Sequence, residues 1–543
     1  MKISAKQIIC LMLLGLLLLP ANASALSTII NSTQDIEAID QKGDSIYYFI
    51  DENNEIKKVI TNLPPLDDKT DYKITFTLKE IRAFDKIDII GDPDFYVKIF
   101  VNDEQFKSKI WYNQKYVNET WSITVDIPDN TENVTIKIQL WDWNPGLDKL
   151  CDICCIYDNS FLDKRDVDII YDLKTGHWIG DDFISPNPGW GSDFSGYGRL
   201  NGCDDGTYYK NDRDCELIFD ITQNDEDGDG IPSWTEKYIY HTDPNVDNTF
   251  WDNDSDGVPI EWEWKWGNTF YLHYGHQWEY YWFYDPFIWE DHANFDPDED
   301  GLQNTEEYLT SKWGSDPFRQ DIFIELDQME IGPMGQGGFL PELSKDLLRD
   351  AYGKRNIFLC IDDGYMGGGE KNIPFDSVTT YEEVQQLYQD YFLHNDANNW
   401  RRGIFHYAIL VYNGPHTGYT FGNRIGDNFY VDSLELSTDI MEVNPIYNWP
   451  IYNIIRHGSF SKEYMRAKSY AGITMHELGH SLGLSGPGHG YTNHFKYRNY
   501  QSCMNYHNVY WLIDYSDGTH GKYDFDDWDA IDLTRFQKQS SWG

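Results

Sequence analysis

Residues 473–506, ITMHELGHSLGLSGPGHGYTNHFKYRNYQSCMNY, open with His476-Glu477-Leu478-Gly479-His480, an HExxH pattern. Histidines four residues apart on a helix project from one face, so both imidazoles reach a single metal ion. Glu477 stands beside the first of them, placed to take a proton from water that the metal activates. The apolar positions Tyr464, Ala467, Ala471, Thr474, Met475, Leu478 and Leu482 supply the helical period this pattern needs. Gly483 then offers a left-handed C-cap that turns the chain back. Downstream the stretch ends in Ser502-Cys503-Met504-Asn505-Tyr506. An HExxH alone is a weak signal; joined to this second motif it is a specific one.

HExxHxxG followed by SxMxY resembles the metzincin family of zinc peptidases. The resemblance implies His476 and His480 as zinc ligands, Glu477 as general base, Met504 as the methionine turn beneath the metal and Tyr506 as a tyrosine that swings onto it. One departure stands out. The family's usual third ligand lies three residues past the glycine, and here that position is Gly486, which has no side chain. His489 is the nearest replacement, reached through Gly486-Pro487-Gly488, and His494 is the second choice.

Upstream, 321–326 (DIFIEL), 355–362 (RNIFLCID) and 404–412 (IFHYAILVY) read as buried strands, with a helix over 340–352. Helices between strands predict an α/β layer with a largely parallel sheet for 319–543. Residues 525–537, with Trp528, Ile531, Leu533 and Phe536 apolar, predict a closing helix.

An internal repeat occupies 223–318. Asp225, Asp227 and Asp229 lead to Glu236; Asp252, Asp254 and Asp256 lead to Glu263; Asp296, Asp298 and Asp300 lead to Glu307. Each fits DxDxDGxxxxxE, in which the aspartates curl around one cation, glycine permits the turn and the last glutamate closes the cage. Thr242-Asp243-Pro244 and Ser315-Asp316-Pro317 follow two of the loops. The alternation resembles thrombospondin type 3 and related calcium repeats, which implies a spacer stiffened by Ca2+.

Residues 26–222 read as an all-β sandwich. The runs 72–78 (YKITFTL), 95–101 (FYVKIFV), 121–127 and 134–140 have strand length, with turn residues between them. Two acid-rich loops, 85–94 and 141–152, resemble the calcium loops of C2 domains, and that resemblance implies Asp92, Asp94, Asp142 and Asp148 as ligands.

Residues 1–25 read as a secretory signal: Lys2 and Lys6, then an apolar run too short to span a bilayer comfortably, then small-residue cleavage sites. No later stretch is a membrane-span candidate, so an exported chain is expected, secreted or held at the cell surface. Ninety acidic against 43 basic residues give a formal charge of −47, which excludes nucleic acid as a partner. An aromatic content of 16% argues against disorder, and the excess carboxylate points to bound divalent cations, a high-salt habitat, or both. Of the cysteines, Cys203 and Cys215 bracket a short loop that a disulfide would close, and Cys151, Cys154 and Cys155 form CxxCC without a partner pair at zinc-finger spacing.

Together these readings predict an exported zinc endopeptidase acting on protein or peptide substrates, with Zn2+ for catalysis and Ca2+ for structure. The alternative is a calcium-dependent surface adhesion or scaffold protein with a degenerate peptidase domain.

Overall fold

The computed structural model describes residues 64–536 apart from 68–69, 89, 130, 155–163, 182–197, 205–212, 274–276, 283, 372, 426–427, 444–461 and 488–494; strands at 36–39, 45–50 and 56–61 are also defined. The proposed signal segment and both candidate third ligands, His489 and His494, lie outside the described residues. The chain forms two compact units, 1–186 with 192–297 and 187–191 with 298–543.

The first unit is β-rich. One sheet orders β10 (Arg199–Asn201), β11 (Cys215–Gln223) and β1 (Lys73–Ala83), with β4 (Tyr116–Val117) and β5 (Trp121–Asp126) both pairing β1. The other orders β9 (Trp178–Gly180), β8 (Val167–Asp172), β6 (Asn133–Asp142), β2 (Phe95–Val101) and β3 (Glu104–Lys107), with β7 (Lys149–Leu150) on β6. All of these pairings are antiparallel. The period of two that marked the sequence sends Ile74, Phe76 and Leu78 of β1 and Val134, Ile136, Ile138 and Leu140 of β6 into one core. A further five-stranded antiparallel sheet joins the strands at 36–61 to Asn268–His273 and Gln277–Trp282.

The first two acidic loops are not a free-standing spacer. Ile231, Trp234, Ile239, Tyr240 and, from α1 (Ile260–Gly267), Ile260 and Trp264 share the core of the sandwich. Trp264 Nε1 donates to Thr175 O at 2.9 Å, and Thr235 Oγ1 to Lys174 O at 2.6 Å. The expected boundary at 222/223 falls inside one compact unit, because the segment carries apolar side chains that join the sandwich core. The division between the two units falls instead within the third loop.

The second unit holds the α/β layer. Its sheet orders β13 (Phe358–Asp362), β12 (Asp321–Gln328), β14 (Phe405–Val411), β16 (Asn428–Ser437) and β15 (Gly418–Ile425). The first four are mutually parallel, and β15 runs antiparallel along the edge of β16. Strands β12 and β14 are buried throughout, which is why they read as unbroken apolar runs. The other helices of this unit are α2 (Asn304–Thr310), α3 (Glu342–Gly353), α4 (Tyr381–Leu387), α5 (Thr438–Val443) and α6 (Lys462–Ser481). Helix α6 packs through Tyr470, Ala471, Met475, Leu478 and nearby Leu482 into a core shared with Leu434 and Leu436 of β16.

The expected closing helix over 525–537 is corrected: only Leu533–Phe536 is helical, as a 3-10 turn, among the described residues there. Aspartates capture the backbone amides instead. Asp526 accepts from Asp529 N at 3.1 Å, Asp527 from Ser516 N at 3.3 Å and Asp532 from Thr534 N at 3.1 Å. Trp528 and Leu533 still reach the core.

Candidate metal centres

Helix α6 delivers His476, Glu477 and His480, and the loop after it completes their surroundings. Leu484 N bonds Gly479 O at 2.8 Å and Gly483 N bonds His480 O at 3.1 Å, with Gly483 at φ +95°; this is a Schellman cap. The cap aims the carbonyl of Leu484 at His480 Nδ1, 2.8 Å away. His476 Nδ1 lies 2.9 Å from Cys503 O, in the turn carrying Met504. A carbonyl accepts only, so both Nδ1 atoms carry the proton and both Nε2 atoms are left with a lone pair. The rings stand edge to face, 4.7 Å apart. Burial lowers the pKa of His480, favouring the neutral form that binds metal.

Met504 is fully buried beneath the helix; a Cβ at Gly479 would come within 2.6 Å of its sulfur. The turn is tied by Met504 N to Ser502 Oγ at 3.0 Å and Asn505 N to Ser502 O at 3.1 Å. Tyr506 sets its ring 4.9 Å from that of His476. Glu477 is buried, and that burial raises its pKa to about 7, opposed by a 2.7 Å hydrogen bond from Thr420 Oγ1 on β15. No motif pointed to Thr420, which joins the site through sheet topology alone. Gly486 explains the missing ligand: a Cβ there would collide with Met504 O. The chain passes too close to the methionine turn to carry any side chain at that point.

The three acidic loops share one construction. The aspartates of each lie within 4.8 Å of one another as groups able to hold a metal ion. Gly230, Gly257 and Gly301 take φ of +93°, +104° and +100°, the turn that position six demands. The third aspartate of each loop accepts from the amide two residues on: Ile231 N to Asp229 at 2.8 Å, Val258 N to Asp256 at 3.3 Å, Leu302 N to Asp300 at 2.7 Å. Its other oxygen accepts from a distant amide: Asn248 N at 3.4 Å, Glu290 N at 3.2 Å and Asp321 N at 2.7 Å. Those three residues each lie five places past an Asp-Pro, at Asp243, Asp285 and Asp316. The second loop thus also has its Asp-Pro, displaced along the sequence by the strands at 268–282.

Buried oxygens that accept no hydrogen bond remain in the loops: Asp227 Oδ2, Glu236 Oε2, both of Asp254, both of Glu263 and Glu307 Oε1. Uncompensated buried carboxylates are costly, and their donor set of hard oxygens fits a cation such as calcium. Burial first, then the neighbouring charges, raises Glu236 to about 8, Asp254 to about 7 and Asp229 to about 6.

The N-terminal loops behave differently. Asp142 is fully buried and accepts from Asp94 N at 2.9 Å, Asn144 Nδ2 at 2.7 Å and Lys149 Nζ at 3.2 Å. Lys149 also reaches Asp88 at 2.6 Å. Asp94 accepts from Asn113 N, and Asp148 from Asn144 N and Tyr96 Oη. Among the described residues Asp92, Asp94, Asp142 and Asp148 are not grouped as donors around one point, and the Lys149 side chain lies against Asp142. The cysteine pairing is also corrected. Cys215 points into the core, where its thiol meets that of Cys151, while Cys203 donates to Asp214 Oδ2 at 3.6 Å and is not bonded to Cys215.

No protein-family model matches the chain, and no curated protein does. Solved structures match parts of it. Human GIVD cytosolic phospholipase A2, in complex with methyl gamma-linolenyl fluorophosphonate and terbium chloride, is 14% identical over 29% of this chain and 18% of that chain, at a TM-score of 0.16. A C2 domain is 12% identical over 28% of this chain and 97% of its own, at 0.15. A C2 domain of plant extended synaptotagmin 1 is 15% identical over 27% of this chain and 93% of its own, at 0.16. Likenesses this slight bear on no functional argument.

Proposed function

We propose that this chain is an exported zinc-dependent endopeptidase whose acidic loops bind calcium. The observation that carries the reading is the pair of Nδ1–carbonyl bonds, which orient the Nε2 atoms of His476 and His480 for one ion, with Glu477 beside them. Zinc bound there would polarise a peptide carbonyl and acidify water. Glu477, held by Thr420 next to the ligands, takes the proton from the attacking water and returns it to the leaving amine. Tyr506, beside His476, donates toward the oxyanion as it forms. Strand β15 lies at the edge of the sheet next to Glu477, so an extended substrate can pair with its outer side.

His489 is the proposed third ligand, because Gly486 has no room for one. The packing of Gly486 also favours the second reading, an adhesion or scaffold protein with a degenerate site. Zinc content and casein digestion separate the two. A peptidase digests casein, and His480→Ala abolishes that digestion and lowers the zinc held after dialysis. A chain that binds calcium, leaves casein intact and holds as much zinc with His480→Ala as without it is the scaffold.

A further inference from the structure

We propose that the second loop carries a separate site for a divalent transition metal, ligated by His292 Nε2 and the carboxylates of Asp256, Glu263 and Glu290. His292 is fully buried, with Nε2 3.3 Å from Asp256 Oδ2, 3.6 Å from Glu290 Oε2 and 3.9 Å from Glu263 Oε1. Donors bonded to zinc at about 2.0–2.2 Å stand about 3.3–3.6 Å apart in a tetrahedron. One ligand atom from each of the four residues lies within 4.8 Å of all the others. The three distances from Nε2 lie close to that spacing.

The second observation is Glu263. It is completely buried, and neither of its oxygens accepts a hydrogen bond. In the sister loops one oxygen of the equivalent glutamate accepts from a hydroxyl just before the Asp-Pro: Thr242 Oγ1 donates to Glu236 at 3.1 Å, and Ser315 Oγ donates to Glu307. Asn248 Nδ2 adds a second bond to Glu236 at 3.3 Å. At the second loop the hydroxyl position is Tyr284, whose ring packs edge-on to His292 at 4.7 Å, and the Asn248 position is Glu290. Where the first loop sets neutral donors against its glutamate, the second sets an imidazole and another carboxylate. Trp262 and Phe295 flank the same imidazole at 5.7 and 6.1 Å and hold its orientation.

Three carboxyls converge on one imidazole, and a bound dication would stabilise their ionised form. Calcium takes oxygen ligands, whereas an imidazole nitrogen selects a softer ion such as zinc or cobalt. Asp252 and Asp254 form a second group with Asp256, so Asp256, and Glu263 that closes the same loop, are shared between a calcium-type loop and this new site. The site does not rest on the peptidase reading.

The test uses the full chain with His476→Ala and His480→Ala, which empties the helix site. The protein is stripped of metal, returned to excess calcium, equilibrated with zinc alone and assayed for zinc per chain. About one zinc is expected to remain, with affinity falling at least tenfold on adding His292→Gln or, should that variant not fold, Glu290→Gln. Cobalt in place of zinc is expected to give visible absorption bands that these substitutions abolish. No zinc in the calcium-loaded double variant, or equal zinc with and without His292→Gln, overturns the proposal. Equal zinc in the parent and the double variant counts instead against the helix site, and leaves this one standing.

Discussion

In the proposed peptidase Glu477 would be the proton carrier, and Thr420 is its sole hydrogen-bond partner through the side chain among the described residues. Glu477→Gln keeps the shape and the two imidazoles. Zinc content is expected to stay at the parent level while casein digestion falls at least about 10²-fold, the scale of a lost general base. Undiminished digestion would remove Glu477 from the mechanism. For the third ligand, His489→Ala is expected to lower zinc and activity together, whereas His494→Ala leaves zinc in place; equal loss in both would overturn the assignment. The HExxH pair, Met504 and Gly483 were legible because helix period and turn chemistry are local. Thr420 was not, because it arrives from a strand distant in sequence. The collision awaiting a Cβ at Gly486 was equally hidden, since only the folded turn brings Met504 O there.

Each acidic loop is a local element tied to a distant Asp-Pro, and its pH response follows from its buried carboxyls. Burial and the charges of Asp229 and Asp227 raise Glu236 to about 8; burial and the charges of Asp256 and Asp252 raise Asp254 to about 7. Ordinary carboxyls titrate at about 4. Without metal, the folded loops therefore hold protons that the unfolded chain has already released. Stability of the chelated protein then falls as pH rises from about 4.5 to about 8. Calcium replaces those protons, so the melting gap between loaded and chelated protein is expected to widen over that range. A constant gap between about pH 5 and pH 8, measured by calorimetry, would sink the calcium reading. The three loops were legible because their ligands lie within twelve residues. The Asp-Pro at Asp285 was obscured by intervening strands, and the missing helix at 525–532 by aspartates whose capping competes with helix formation.

At the scale of the whole molecule, the period-two strands announced the sandwich and the buried strands announced the parallel sheet, but composition suggested a spacer between them where none stands free. The reason is apolar: Ile231, Trp234, Ile239, Tyr240, Ile260 and Trp264 belong to the sandwich core although they lie among carboxylate-rich turns. Burying a large apolar side chain is worth about 1.5–3 kcal/mol. Six of them amount to roughly the whole stability of an ordinary domain before the entropy of ordering the loops is subtracted. On the proposed calcium reading, the ion would act on the sandwich at one remove, by ordering the segments that seal it. In the N-terminal loops Lys149 pairs with both Asp88 and Asp142 and offsets one of their two charges. A fragment of residues 26–297 is thus expected to melt higher in calcium than in chelator, with tryptophan emission shifting to longer wavelength as calcium is withdrawn. A fragment of residues 26–222 is expected to melt lower than the longer one and to be indifferent to calcium. If the shorter fragment matches the longer in stability, the loops are a spacer after all. If instead it gains stability from calcium, the acid-rich N-terminal loops bind the ion despite Lys149.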